Sequence, residues 1–228
     1  VAGVGSEELI KTKSENPQNM LTGRVPGLRV WQTSAEPGSY SSSIDIRGYG
    51  SVLVVIDGVP RTIDDFNRLN ANDIENVSVL KYGAAAIYGM RGGNGVLLVT
   101  TKKGQEGKAK VSYNGSFTFQ TPSGLPELVD VFDAMDIWNE KAYNNMNGGS
   151  PIFNDEFIEE FRNGTRQFTD WNNLVIQRMA PQHAHDVSIS GGGEKYHYYA
   201  SFGYNYQEGF FKSGDLHYDK YTFREKMD

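Results

Sequence analysis

Polar and apolar residues separate at period two between Lys110 and Thr121. Val111, Tyr113, Phe117 and Phe119 stand at odd positions with Gly115, and Lys110, Ser112, Asn114, Ser116, Thr118 and Gln120 at even ones. That period belongs to a β-strand whose two faces meet different surroundings. It returns between Lys195 and Gln207, where Tyr196, Tyr198, Ala200, Phe202, Tyr204 and Tyr206 share one face. Shorter alternation over Asp186–Ser190 and Lys220–Lys226 predicts two further strands. Ser190-Gly191-Gly192-Gly193-Glu194-Lys195 is expected to join two of them as a tight turn. The long strands exceed the usual five to six residues or so and match the roughly ten that cross a bilayer at a tilt.

The connection Pro122–Pro181, of about sixty residues, is far too long for a hairpin and marks a functional loop. Leu125–Asn144 and Asp155–Arg162 carry helix-compatible spacing within it. Residues 1–107 follow another grammar. Asn16–Leu21 predicts a helical turn with Pro17 at its first position. Gly27–Trp31, Ser43–Arg47, Val52–Asp57, Asn76–Lys81 and Val96–Thr101 predict short strands. Val52–Ile56 and Val96–Val99 do not alternate, so these strands are expected to be covered on both faces. Ala84–Tyr88 predicts a small helix stopped by Gly89. The halves therefore divide near Lys108 into an α+β body (1–107) and a set of antiparallel β-strands with a long loop at about 122–181 (108–228).

Composition narrows the function classes. The chain has 228 residues, a formal net charge of −6 and no Cys, so disulfides, Cys-ligated zinc and Cys nucleophiles are excluded. The acidic balance argues against a nucleic-acid partner. No apolar run is long enough for a transmembrane helix, and the opening Val1-Ala2-Gly3-Val4-Gly5 lacks the parts of a signal peptide. Aromatic residues make up 12%, with 13 Tyr, which suits a β-barrel wall. Two readings of the alternating strands compete. One is a stand-alone soluble glycan-binding β-rich module that buries its aromatic face. The other is part of a transmembrane barrel with that face toward lipid, which requires more strands than four.

The run Leu69-Asn70-Ala71-Asn72-Asp73-Ile74-Glu75-Asn76-Val77-Ser78-Val79-Leu80-Lys81, then Ala84–Gly89 and Arg91–Gly104, resembles the plug signature of SusC/RagA-like TonB-dependent transporters. Leu21–Leu28, Ile44-Asp45-Ile46-Arg47-Gly48 and Val55-Ile56-Asp57-Gly58-Val59-Pro60 resemble further motifs of the same plug, in family order. Thr169-Asp170-Trp171, Ser190-Gly191-Gly192 and Tyr198–Tyr204 resemble the opening barrel strands. The resemblance implies an α+β plug domain followed by antiparallel strands of an incomplete transmembrane β-barrel. It implies a cell outer-membrane location with the plug facing the periplasm. It further implies import of oligosaccharides or peptides with a SusD-like lipoprotein, energised by TonB through a segment not among these residues. Neither enzyme activity nor a cofactor is implied.

Candidate chemistry is sparse. By the same resemblance, Arg47 and Arg91 are expected to lock the plug to barrel acids, with intraplug pairing to Asp45 or Asp57 as the alternative. Trp138 and Trp171 are candidates for stacking on sugar rings, or else for anchoring the loop's own small core. His183 and His185 share a strand face but have no third ligand, so no metal site is expected. Asp57, Asp64 and Asp65 are read as solvated loop carboxylates. Gly89–Gly95 lacks the Gly-Lys-Ser/Thr ending of a phosphate loop and leads into a strand.

Overall fold

A computed structural model describes residues 2–39, 41–46, 48, 50–145 and 150–228. It forms two compact units. The first comprises Val1–Gln120, Ala180–Gly209 and Gly214–Asp228, and the second Thr121–Met179 with Phe210–Ser213.

The first unit begins with β1 (Ala2–Gly5), α1 (Ser6–Leu9) and α2 (Pro17–Met20). The Asn16 side chain caps α2 by accepting the Gln18 N–H, and Pro17 takes the first position, as its fixed φ favours. Next come β2 (Leu28–Gln32), β3 (Ser42–Ile46), β4 (Leu53–Ile56), β5 (Val59–Arg61) and α3 (Ile63–Arg68). Thr62 and Asp65 cap α3 reciprocally. A 3₁₀ turn at Ala71–Asp73 leads into β6 (Ile74–Leu80), and β7 (Val96–Thr101) follows. Five of these strands make one mixed sheet in the order β1-β6-β7-β4-β5, while β2 and β3 pair separately.

The unalternating strands are the centre of that sheet, where β4 and β7 run parallel. Val54, Leu97 and Val99 pack on one face with Phe66, Ile74, Val77 and Val79. Val55 and Val96 pack on the other with Leu80 and Ala85. Covering on both faces explains why these positions tolerate no polar alternation. The small helix expected at Ala84–Tyr88 is instead part of a 3₁₀ segment, Tyr82–Gly92. Gly89, at φ 61° and ψ −148°, is non-helical and parts this segment into two helical pieces, so the first piece stops where expected. So short a glycine-rich stretch cannot nucleate an α-helix, and packing of Ala85 under the sheet fixes its course instead.

The same unit holds four long strands: β8 (Gly107–Gln120), β9 (Ala180–Gly193), β10 (Tyr196–Glu208) and β11 (His217–Met227). Their order is β11-β10-β9-β8, all antiparallel. β9 and β11 outrun the short stretches where alternation is visible. The three glycines expected in a turn lie inside the ladder instead, with Gly193 opposite Tyr196, leaving Glu194-Lys195 as a two-residue hairpin.

The second unit carries α4 (Val131–Asn145), α5 (Asp155–Arg162) and α6 (Trp171–Val175). The Asn139 side chain donates to the Phe153 carbonyl and accepts its N–H, both at 2.8 Å. Phe153 stacks on Phe157, whose ring meets Phe161 at a tilt, with the Arg166 guanidinium over the last two rings. Ile176 and Phe211 form a lone antiparallel bridge.

Candidate functional site

The inward face of β11 is polar at every second residue, and each of its side chains from Lys220 to Lys226 reaches the mixed-sheet body. Lys220 Nζ donates to the carbonyls of Glu15 and Asn67 at 3.3 and 3.4 Å. Thr222 Oγ1 accepts from the Asn70 amide at 3.3 Å. Arg224 and Lys226 both bond the Asp57 carboxylate, at 3.1 and 3.2 Å. Arg224 also donates to Thr101 Oγ1 at 2.6 Å. Burial works against the Asp57 charge, but the Thr101 hydroxyl and N–H and then the Lys226 ammonium outweigh it and hold the carboxyl below the usual aspartate range. Burial pushes the Glu15 carboxyl up, against the opposing pull of Lys220.

A second set of contacts comes from the 3₁₀ turn. The Asn70 amide donates to Asp186 of β9, and the Asn72 amide reaches the other carboxylate oxygen at 2.7 Å. Asn114 of β8 donates to the Asn72 side-chain oxygen, Oδ1, at 2.7 Å, and the Tyr199 hydroxyl donates to Asp73 at 2.9 Å. Asn70, Asp73 and Asp186 are buried, so the bonds replace water that these groups lose. Gly203 of β10 makes room for this meeting: a Cβ there would stand 2.6 Å from both Asp186 Oδ1 and Thr222 Oγ1, and closer still to the Asn70 amide. The seam between body and strands is thus rich in polar contacts, with Ile10, Met20 and Leu69 beside Ala184, Tyr206 and Tyr218 as its apolar part.

The opposite face of the four strands is aromatic and covered by nothing among the described residues. Phe202 and Phe223 are 50% and 72% exposed. They pair with each other across the ladder, and Phe202 pairs with Val187, which pairs with Tyr113. Toward the long-loop end lies a belt of His183, His185, Tyr204, Tyr206 and Tyr221, with the His183–Tyr206 and Tyr204–Tyr221 rings 5.1 and 5.0 Å apart. Tyr196 and Tyr198 mark the other end. The ten residues or so between Tyr196 and Tyr206 span about 33 Å along the strand, or about 25 Å at a barrel tilt, the height of an apolar band. The soluble-module reading required Tyr196, Tyr198, Phe202 and Tyr204 to be buried. The structure overturns it: the polar face is the covered one.

The sequence-expected residues fall as follows. Arg47 lies outside the described residues. Arg91 is exposed on the 3₁₀ segment, and Asp57 is engaged by β11 instead. Asp45 accepts the N–H groups of Gly48 and Gly50 at 2.6 and 3.0 Å. Of the three acids read as solvated, Asp57 belongs to the seam, Asp65 caps α3 and Asp64 is exposed. Trp138 and Trp171 are 50% and 65% exposed, and the Lys141 ammonium lies 4.5 Å over the Trp138 ring. His185 bonds the Tyr113 hydroxyl at 2.7 Å, and no cluster of metal-binding side chains occurs among the described residues. Sequence reasoning missed Asn70, Asn72, Asp73, Asp186, Tyr199, Arg224 and Lys226. Only the polar stripe Lys220-Thr222-Arg224-Lys226 was a usable signal.

Residues 1–96 match the family described as TonB-dependent Receptor Plug Domain. The whole chain is 36% identical to TonB-dependent receptor P26 of Formosa agariphila, of which it covers 23%. Over 95% of its length it is 35% identical to TonB-dependent receptor SusC of Bacteroides thetaiotaomicron, of which it covers 21%. The chain thus spans under a quarter of the length of these relatives. In structure it superposes on the RagAB peptide transporter with a TM-score of 0.80 at 26% identity, over 99% of this chain and 28% of that one. The chain is thus similar over its whole length to SusC-like TonB-dependent receptors, with a plug-domain match followed by antiparallel strands that form no closed barrel.

Proposed function

We propose that this chain is the plug (1–107) and opening wall (108–228) of an outer-membrane importer that takes up oligosaccharides or peptides, works with a SusD-like lipoprotein and is energised by TonB. The observation that carries the reading is the inverted sheet. Its polar face is hydrogen-bonded to the plug, and its aromatic face, banded by Tyr and His, is turned outward. A water-soluble sheet has the opposite arrangement, whereas a lipid-embedded wall requires this one. The SusC and RagAB likenesses support the substrate classes and the lipoprotein partner. The protein acts by binding and displacement, without enzyme chemistry or a cofactor.

Within this reading Arg47 and Arg91 lock the plug to wall acids, and the exposure of Arg91 leaves it open to such a partner. Trp138 and Trp171 offer exposed rings for a sugar at the loop. The test is deletion of the receptor gene, followed by uptake of labelled oligosaccharides and labelled peptides, with and without TonB. Loss of one substrate class, and equal loss without TonB, is expected. Uptake of both classes at the undeleted level sinks the proposal.

A further inference from the structure

Three features of the chain bring Asp57 to one corner. It is the one described non-glycine residue with a positive φ, 50°, and Gly58 follows at 83°. Two left-handed residues in succession make the tight turn that closes the β4–β5 hairpin. That turn brings the carboxylate to Thr101, the last residue of β7, whose N–H donates to it at 2.8 Å and whose hydroxyl donates to it as well. Six residues later the chain has crossed into β8. The covalent crossing from plug to wall and the ionic crossing through Arg224 and Lys226 therefore share this corner.

We propose that Asp57 is the charge-dependent anchor of the plug, the acid by which Arg224 and Lys226 keep this corner seated while the rest of the seam can part. The proposal rests on the plug-and-wall reading above. The turn itself does not require the charge. Asn adopts positive φ as readily as Asp and accepts the same Thr101 N–H. Only the two wall cations need a carboxylate. Elsewhere along the seam the hydrogen bonds described between plug and wall side chains use neutral amides, backbone carbonyls or, at Asp73, an acid accepting the Tyr199 hydroxyl, while Glu15 attracts Lys220 and Lys13 attracts Asp186 through space. At Asp57 it offers a full charge to two opposite ones. The three side chains are 24%, 22% and 23% exposed, covered enough that salt weakens the attraction without abolishing it. The Thr101 hydroxyl closes the ring, accepting from Arg224 while donating to Asp57.

The experiment uses the full-length receptor, measuring influx of a large glycopeptide antibiotic into cells and the conductance of purified receptor in planar bilayers. Asp57→Asn keeps the turn and removes the charge. Its leak per inserted receptor is expected to rise about tenfold or more, the effect of losing the charge-assisted bonds to Arg224 and Lys226. Arg224→Gln with Lys226→Gln should leak equally, Arg224→Lys should stay near the wild type, and the triple variant should leak no more than Asp57→Asn alone. Added salt should raise the wild-type leak and leave that of Asp57→Asn unchanged. A wild-type leak from inserted Asp57→Asn overturns the proposal, as does a triple variant in which the effects add. If nutrient uptake proves independent of this receptor, the importer reading fails. The bilayer comparison of Asp57→Asn with the wild type still decides the anchor.

Discussion

The plug's mixed sheet and the wall's antiparallel sheet are built from the same backbone ladder and solve opposite problems. In the plug, Val54, Val55, Leu97 and Val99 are fully buried at the sheet's centre, and polar groups gather at its rim. In the wall, Asp186, Ser201, Gln207 and Lys220 are buried on the covered face, while Phe117, Phe202, Tyr221 and Phe223 face outward. The plug gains stability by removing apolar area from water. The wall's covered face gains little that way, and its contacts are hydrogen bonds exchanged for those with water, each contributing only about 1 kcal/mol. One unit therefore combines an apolar-cored body with a seam held largely by polar contacts.

The sharpest way to break this contrast is to alter the plug core and the wall's outer face separately. Phe66→Ala, at a fully buried site, should cost the plug roughly 3–5 kcal/mol, read as a lower denaturant midpoint for plug unfolding. Phe223→Arg should cost about 2–4 kcal/mol of membrane stability, read as reduced outer-membrane assembly, and should leave plug unfolding unchanged. If Phe223→Arg instead lowers the plug midpoint, the outer face is not lipid-facing.

The seam should respond more weakly and in its own way. Gly203→Ala drives a methyl into the Asn70, Asp186 and Thr222 contacts and should weaken plug seating by about 1–3 kcal/mol. Asn70→Ala removes the clash partner but leaves Asp186 short of a donor, costing about 1–3 kcal/mol. The two changes together should cost less than their sum. Protease sensitivity of the 102–106 linker in the intact receptor measures both.

The smallest effect is that of acid on Asp57. Its carboxyl sits below the usual aspartate range when folded. It therefore stabilises fully above the ordinary value of about 3.9 and loses that contribution only as pH falls through its lower, folded value. Titrating plug seating from pH 5 downward should show a loss in the wild type that Asp57→Asn lacks. Parallel titrations of the two proteins would contradict the assignment.

Much of the architecture was legible because local pattern carries it. The central plug strands were readable from Val52–Ile56 and Val96–Val99, the long strands from period two, and the loop helix Asp155–Arg162 from its spacing. Several elements escaped, among them the short helices α1 and α6. β5 is a short edge strand containing Pro60, exposed and without alternation. β1 is four residues long. α3 did announce itself, through Thr62 and Asp65 set three apart before Phe66. The turn expected over Ser190–Lys195 is confined to Glu194-Lys195, because glycine serves close strand packing as well as turns.

By itself the sequence determined that the long strands have two unlike faces, and that motifs of a plug precede them. It did not determine which face would be covered. Alternation is unchanged when inside and outside are exchanged, so Tyr204 toward lipid and Tyr204 in a dry core read alike. Nor did it pair Asn70 with Asp186 or Asp57 with Arg224, which are separated by 116 and 167 residues. Those partners exist only once the plug is docked on the wall. Buried polar groups require donors and acceptors at hydrogen-bond distance, and over such separations only the tertiary structure supplies them.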